Sequence, residues 1–375
     1  MYQLPSPVAI GRRIALARDA KGLNQEDLAR ELGIASHQSI SELEKGNRGL
    51  DADELAKLAE VLDQSIDYFV DPFELTGEAE YSWRRSPGTP DKLVREFQGR
   101  SSKLVGLLRW LRLHDEASSN PLKRTLRLSA LSTFEETQSI GERLAVELKL
   151  GAVPAEKLID RIEDELDVPI LHLDMISGLG TDFISGATVH LPNFTCILIN
   201  RNESSGRRTF DLAHELFHAL TWDVLRPAEL ESNAIDGRST AKKDRIEQFA
   251  NNFASALLMP RALLEPKFRR ANAQELEDLR AIALHFHVSP AALAWRLFGL
   301  RWIDKDVCNR LKELPADEPS GERPKLYSSR FARSLAKSLE AGQLSPRKAA
   351  KLLSLNLDDL EDLFRLHDIE TPVDF

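Results

Sequence analysis

Two histidines and a glutamate have the spacing of a metal-dependent hydrolase within the segment AHELFH. His214 and His218 are four positions apart, so on a helix both imidazoles project from one face and can reach one Zn²⁺ ion. Glu215 stands beside them, where a carboxylate can act as a general base. The pattern H-E-x-x-H therefore predicts a zinc site with its own base. Two helix-face histidines without a metal are the alternative.

A catalytic zinc site usually has three protein ligands and one open position, so this pair needs a third ligand from elsewhere. Glu247 is our candidate, because it lies in IEQFANNFASALLMP, where apolar residues recur at helical spacing and Glu247 would point towards the metal helix. Spacing alone does not separate Glu247 from Asp244 or Glu231.

The elements that must position these residues can be predicted from apolar periodicity and turn residues. Two long helices are expected over Ser205–Thr221 and Lys242–Leu258, the second stopped by Pro260. Three short runs rich in β-branched and apolar residues predict a small sheet: VPILHLDM, FISGATVHL and FTCILIN. Further helices are predicted over Phe134–Leu148 and Pro154–Leu166.

The segments RRTFDLAHELFHAL and EQFANNFASALLMP together resemble the ImmA/IrrE-type zinc metallo-endopeptidases. The resemblance extends over roughly residues 134–260, including the strand segment SGATVHLPNFTCILINR. It implies that His214, His218 and Glu247 bind zinc and that Glu215 is the general base. The sequence departs from the family pattern at Phe217, where many members have glycine, and at Asp211, where threonine is common. We expect Phe217 to narrow the cleft beside the metal.

The first 70 residues predict short helices over Val8–Lys21, Gln25–Glu31 and Ser36–Lys45, each followed by a glycine suited to a helix C-terminus. They resemble an XRE/Cro-type helix-turn-helix, whose third helix enters the major groove. Ile40 and Leu43 are then expected to pack inward. The candidates for DNA contact are Gln25, which opens the second helix, and the exposed residues Ser36, His37, Gln38, Ser39 and Ser41. Gln38 is the first choice for base readout, since glutamine can bind adenine bidentately.

Charge is distributed unevenly along the chain. Residues 1–72 carry 8 basic and 13 acidic residues, whereas residues 84–133 carry 11 basic and 4 acidic residues. Because neutralisation of phosphates supplies most non-specific DNA affinity, the acidic first region favours weak, salt-sensitive binding or a protein-interaction module of the same fold. The basic stretch is predicted to be a linker followed by a connector helix. Its arginines could supply phosphate contacts, especially Arg84, Arg85, Arg95 and Arg100.

The amino-acid composition excludes several classes of protein. With 375 residues, 42% hydrophobic and 29% charged, the chain is predicted to be globular and multi-domain, not fibrous or disordered. A net charge of −9 argues against a general polyanion binder. Two cysteines, Cys196 and Cys308, are too few for a disulfide framework. The beginning of the sequence lacks a signal-peptide core and no run is apolar enough to span a membrane, so we expect a soluble, cytoplasmic protein.

These observations predict a multi-domain α+β chain with an all-α helix-turn-helix, a central small sheet packed with zincin-like helices and an all-α C-terminal region. The expected domains are residues 1–72, a basic linker and connector helix at 73–133, the peptidase at 134–272 and the helical region at 273–375. By the family resemblance, this regulator binds operator DNA and its zinc-dependent endopeptidase cleaves a repressor protein in a stress or mobile-element circuit. The alternatives are a DNA-binding regulator with a structural or sensory zinc site and a partner-binding scaffold. The sequence also allows a homodimer.

Overall fold

The computed structural model describes residues 5–34, 36–86, 89–114, 125–175, 184–192, 194–226, 240–272, 274–315 and 323–372. Of residues 240–244 it describes the backbone alone. The chain divides into two compact units. The first contains Met1–Ala79, Glu96–Ala117 and Arg333–Phe375, and the second contains Glu80–Arg95 and Ser118–Ala332.

Helices make up most of the described secondary structure. The first helices are α1 (Pro7–Ala20), α2 (Gln25–Leu32), α3 (His37–Glu44), α4 (Ala52–Val61), α5 (Ile66–Val70), α6 (Asp91–His114), α7 (Phe134–Glu147), α8 (Pro154–Glu165) and α9 (Ser205–Thr221). The others are α10 (Thr240–Leu258), α11 (Arg261–Phe268), α12 (Leu276–His285), α13 (Pro290–Gly299), α14 (Lys305–Lys312), α15 (Ser329–Glu340), α16 (Pro346–Leu353) and α17 (Leu357–Leu366). The strands are β1 (Glu80–Arg85), β2 (Ile170–Leu173), β3 (Ile184–Leu191) and β4 (Phe194–Asn200).

In the first unit, α1 to α5 form a compact helical domain around a core that includes Ile14, Leu28 and Phe69. Local sequence signals set the helix ends. Asn24 caps α2 with a capping box, and Gly33 ends α2 in the left-handed conformation that glycine adopts without strain. Ile40 and Leu43 of α3 are buried, as expected for the inward face of a helix-turn-helix.

In the second unit, a four-stranded mixed sheet lies in the order β1-β3-β4-β2. β3 pairs antiparallel with β1 and with β4, whereas β2 runs parallel to β4. Helix α9 packs against β3 and β4, and α10 packs against α7 and α9. Three of these strands were predicted from the sequence. β1 was not, because residues 80–85 fall where glutamates and a basic linker were expected.

The predicted fold class is confirmed: a helical N-terminal part, a small mixed sheet in the middle and a helical C-terminal part. In the described residues after position 273, every regular element is a helix. The segment ELPADEPSGERPK at 313–325, whose proline, glutamate and serine residues predict a linker, lies partly outside the described residues. The domain boundaries at 72, 133 and 272 stay predictions. Among the described residues, no helical segment combines the length and the low charge that a bilayer-spanning helix needs.

The close crossing of α7 and α10 depends on Gly141, and it yields a stability prediction. A Cβ atom added to Gly141 would lie 2.7 Å from the carbonyl oxygen of Phe253, which belongs to the backbone of α10 and cannot rotate away. Gly141→Ala should therefore destabilise the second unit by ~1–3 kcal/mol, as overpacking usually does. Thermal melting of the full chain measures this effect.

The matched control is Gly99→Ala in α6, where an added Cβ meets no atom within 4 Å. Because alanine favours helix more than glycine does, this control should be neutral or stabilising by up to ~1 kcal/mol. Equal melting temperatures for the Gly141 and Gly99 variants would contradict the tight crossing.

Candidate metal centre

Helix α9 places two imidazoles side by side. His214 and His218 are both only 1% exposed, and their Nε2 atoms lie 3.2 Å apart. The helix begins at Ser205 and ends at Thr221, as the sequence predicted. Its interior contains no glycine or proline after Gly206, and every residue from Asp211 to Thr221 is buried. The two histidines are therefore fixed by a rigid, packed element.

Helix α10 brings Glu247 to the same point. One carboxylate oxygen, Oε2, lies 3.1 Å from Nε2 of His214, and the other, Oε1, lies 3.4 Å from Nε2 of His218. The Glu247 side chain is 45% exposed, so the cluster can be reached from this side. The two alternatives considered for the third ligand, Asp244 and Glu231, have side chains outside the described residues.

The three side chains fit a zinc ion by chemistry and by spacing. Two imidazole nitrogens and a carboxylate oxygen are a donor set that Zn²⁺ commonly takes in catalytic sites. With metal–ligand distances near ~2.0–2.1 Å, neighbouring donors around a tetrahedral ion lie ~3.3 Å apart. Two nitrogen–oxygen separations of 3.1 and 3.4 Å and a nitrogen–nitrogen separation of 3.2 Å match that edge. Among the described residues, His214, His218 and Glu247 are the group of three or more His, Cys, Asp or Glu side chains that lie close enough together to hold one ion.

Burial and neighbouring charges favour the neutral form of one histidine. Removal from water and the Arg84 guanidinium lower the pKa of His214 to about 4, and a neutral imidazole is the form that ligates a metal. Burial also acts against the charged form of His218, but hydrogen bonding and the charge of Glu247 outweigh it and raise the pKa of His218. Removal from water acts to raise the pKa of Glu247. The hydrogen bonds with His214 and His218 outweigh this effect, so that the pKa of Glu247 lies well below its usual range.

Glu215 lies between the metal cluster and the sheet. Its side chain is buried, and the hydroxyl of Thr188 on β3 donates to Oε2 over 2.7 Å. Burial raises the pKa of Glu215 to about 7, although His218, the Thr188 hydroxyl and Arg84 act in the opposite direction. A carboxyl group with a pKa near neutrality can both accept and return a proton under physiological conditions.

Arg84 is the site residue that sequence reasoning misplaced. It was expected in a linker that contacts phosphate, but it belongs to β1 and its side chain is engaged inside the second unit. Its Nε donates to Oδ1 of Asp211 over 2.5 Å, and its Nη1 lies 2.9 Å from Nδ1 of His214. The same Nδ1 lies 3.0 Å from Oδ1 of Asn251 on α10. The aspartate at position 211, noted as a departure from the family pattern, could have indicated that a basic partner was needed.

Phe217 does not narrow a cleft beside the metal. Its ring is fully buried and packs 5.6 Å from the ring of Phe253 and 5.7 Å from that of His218, measured between ring centres. The expectation was wrong because position 217 lies on the core face of α9. A phenylalanine at this position packs against the imidazole of His218, a candidate metal ligand.

The candidate DNA contacts lie at the start of α2 and on α3. Ser36 caps α3 by accepting from the backbone N–H of Gln38, and Ser36, His37 and Gln38 are exposed. Ser39 and Ser41 are half-buried. The side-chain amide of Gln25 donates to Glu44 over 2.7 Å, so one of its N–H groups is engaged within the domain. Of the five candidates at the start of α3 and within it, Ser36, His37 and Gln38 are therefore the exposed ones.

Comparison with family models identifies two segments. Residues 14–69 match the helix-turn-helix model, and residues 164–298 match the IrrE N-terminal-like domain of the M78 peptidase type. The second segment contains every residue of the metal cluster as well as Glu215.

Similar curated proteins share a limited stretch. An uncharacterised HTH-type transcriptional regulator of Rickettsia conorii is 37% identical over 65 residues, which is 17% of this chain and 51% of the relative. An uncharacterised transcriptional regulator encoded in the ATPase CF(0) region of Rhodospirillum rubrum is 38% identical over 65 residues, which is 17% of this chain and 59% of the relative. The chain thus spans about half the length of the curated relatives that it matches.

A solved transcriptional regulator of Mycobacterium tuberculosis is 18% identical, with 44% of this chain and 46% of that chain covered and a TM-score of 0.32. The two family matches confirm both resemblances found in the sequence: the chain carries an XRE-type helix-turn-helix segment and an IrrE N-terminal-like segment of the M78 peptidase type.

Proposed function

We propose that this protein is a DNA-binding transcriptional regulator with a zinc-dependent endopeptidase centre, and that it cleaves a repressor protein. One observation carries the peptidase proposal: Nε2 of His214, Nε2 of His218 and the Glu247 carboxylate converge while Glu215 stands beside them on the same helix. The helix-turn-helix match and the names of the similar curated proteins support the regulatory part.

The residues of this chain have separate roles in peptide hydrolysis. His214, His218 and Glu247 would hold the ion. Zinc in such a site supplies Lewis-acid chemistry, which polarises a carbonyl and makes water more acidic. Glu215 accepts a proton from the attacking water and then delivers it to the leaving amine. The Thr188 hydroxyl holds the Glu215 carboxylate in place.

A metal-sensing regulator that cleaves nothing is the second candidate, and the 1% exposure of Glu215 favours it. An intact glutamate beside the ligands argues for hydrolysis, because a purely structural zinc site has no use for a base. Zinc analysis of the purified chain, combined with cleavage assays on co-expressed repressor proteins, separates the two candidates. Zinc without cleavage of any repressor would support the sensor.

For DNA, we predict that Gln38→Ala weakens binding to the preferred duplex by ~1–3 kcal/mol and relaxes the preference at one base pair, since a bidentate contact to a base would be lost. The preferred duplex is obtained by selection from a random pool, and binding is measured by fluorescence anisotropy. Gln64→Ala is the matched control, because Gln64 is an exposed glutamine outside α3.

A contact to phosphate should behave differently from a contact to a base. Arg95→Ala, which changes an exposed residue of α6, should weaken all sequences alike and flatten the salt dependence if Arg95 touches phosphate. If the protein binds no DNA duplex even at low salt, a protein-interaction role for the helix-turn-helix is favoured instead.

A further inference from the structure

Two side chains of strand β1 contact the face of α9 that carries the metal ligands. Asp211, His214, His218 and Trp222 follow one another at three- or four-residue spacing, which places them along one side of the helix. β1 contacts this stripe at both ends. Arg84 contacts Asp211 and His214, while Nε1 of Trp222 donates to the carboxylate of Glu80 over 3.1 Å. Arg226 also pairs with Glu80.

The strand that pairs with β1 is the one that lies against the general base. Thr188 of β3 donates to Glu215, and a Cβ atom placed on Gly186 would lie 3.6 Å from Cγ of Glu215. In the register between β1 and β3, Ser82 is opposite Thr188 and Arg84 is opposite Gly186. Extended peptides often bind by adding a strand to a sheet edge, where the backbone supplies hydrogen bonds and side chains supply specificity. β1 therefore occupies the edge at which an added peptide strand would lie nearest to Glu215.

Arg84 pairs with Asp211, which is one of two buried, neighbouring carboxyl groups. The Asp211 side chain is 2% exposed, and Glu203 lies beside it with little exposure. Within the described part of the chain, Oδ2 of Asp211 and Oε2 of Glu203 are buried, and the two carboxyl groups are close enough to hydrogen-bond with each other. The nearest other cation is Arg207, whose Nε is 3.7 Å from Oδ2 of Asp211 and whose side chain is half-exposed. Arg84, with a side chain that is 26% exposed, is thus the more buried of the two cations that pair with Asp211.

Departure of β1 would remove that charge. A buried carboxylate left without its cation is strongly destabilised, much more than an exposed one. A peptide that replaces β1 can restore the pair only if it brings a guanidinium or ammonium group to the position opposite Gly186. An acidic or apolar side chain at that position would leave Asp211 with only the half-exposed Arg207 as a cationic partner.

We propose that the edge of β3 is a binding site for an extended peptide, that residues 80–85 fill this site within the chain, and that the peptide that displaces them carries arginine or lysine opposite Gly186. That this peptide is a substrate rests on the proposed function. That it binds at the edge of β3 does not depend on the proposed function. The expected substrate is an unfolded or extended protein segment with a basic residue next to the cleaved region.

The test uses full-length chain with Glu215→Gln, to prevent cleavage, together with Arg84→Gln, to weaken the hold of β1. Two fluorescein-labelled peptides are compared: EAEYSWRRS, which copies residues 78–86, and EAEYSWQRS, which has glutamine in place of the arginine at position 84. The arginine peptide should bind at least ~10-fold more tightly, because it alone restores the buried pair with Asp211. Asp211→Asn in the same background should remove the difference. Trp83→Ala in place of Arg84→Gln gives a second chain with a weakened β1, since it removes the stacking of Trp83 on Tyr81.

Hydrogen exchange followed by mass spectrometry locates the binding site in the same samples. When the arginine peptide binds, the amides of residues 80–85 should exchange faster while those of β3 remain protected. Equal affinity for the two peptides would overturn the basic subsite. Absence of binding, or binding with β1 still protected, would overturn the edge site. If the arginine peptide binds as expected but zinc-loaded wild type hydrolyses no protein, the peptidase proposal fails by itself.

Discussion

Glu215→Gln is expected to keep zinc and the native melting temperature while lowering peptide hydrolysis by a factor of about 10²–10⁴. Glutamine has nearly the same shape as glutamate, and its amide oxygen can still accept from the Thr188 hydroxyl. It cannot accept a proton from water, so the step assigned to Glu215 is lost. Zinc content, thermal melting and cleavage of a co-expressed repressor are measured beside the wild type.

Glu247→Gln is the matched control, because it makes the same chemical change at a residue assigned to the metal. This control should reduce zinc content together with activity. If Glu215→Gln cleaves as fast as the wild type, Glu215 is not the base. If Glu215→Gln loses zinc, Glu215 acts as a ligand, and the separate roles assigned to the two glutamates are wrong.

Loss of a histidine ligand is expected to weaken zinc binding by more than about 100-fold, since even the loss of a residue that only hydrogen-bonds to a zinc ligand costs about 10- to 100-fold. His214→Ala and His218→Ala each leave two protein ligands, and two ligands do not hold the ion tightly. Glu247→Gln should weaken zinc less than either histidine variant, because a neutral amide retains an oxygen donor. Competition with a chromophoric chelator measures these affinities.

His285→Ala is the control for the histidine variants, since His285 lies on α12 outside the cluster. It should bind zinc as the wild type does. Asp244→Ala and Glu231→Ala test the two alternative ligands considered from the sequence, and both should retain zinc if Glu247 is the third ligand. Full zinc occupancy in both histidine-to-alanine variants would refute the metal assignment.

The sequence was sufficient to predict the helices that carry the metal cluster. The bounds of α9 were predicted at both ends, and α10 was predicted within two residues at its start and correctly at its end. Both segments have strong apolar periodicity, and Pro260 marks where α10 must stop. The H-E-x-x-H spacing is itself a local helical property, so its geometry follows from the helix alone. Cys196 lies in the apolar run FTCILIN, a pattern that favours a buried thiol, and it is buried in β4.

β1 and the role of Arg84 could not be predicted in the same way. The strand EYSWRR is short, charged at both ends and lies beside a basic, proline-containing segment, so its local pattern indicates a linker. It becomes a strand by pairing with β3, about a hundred residues later in the chain. Tertiary pairing of this kind overrides weak local propensity. The partner of Arg84 is equally distant, since Asp211 lies 127 positions further along.

The most direct test of the peptidase claim is hydrolysis of purified repressor proteins by the purified, zinc-loaded chain in water enriched in ¹⁸O. Hydrolysis of a peptide bond transfers one oxygen from water to the new C-terminal carboxylate, and mass spectrometry of the fragments detects it. We predict ¹⁸O-labelled fragments with the wild type and intact repressor with Glu215→Gln at equal zinc content. Intact repressors with the wild type, or the same labelled fragments with Glu215→Gln, would contradict the claim.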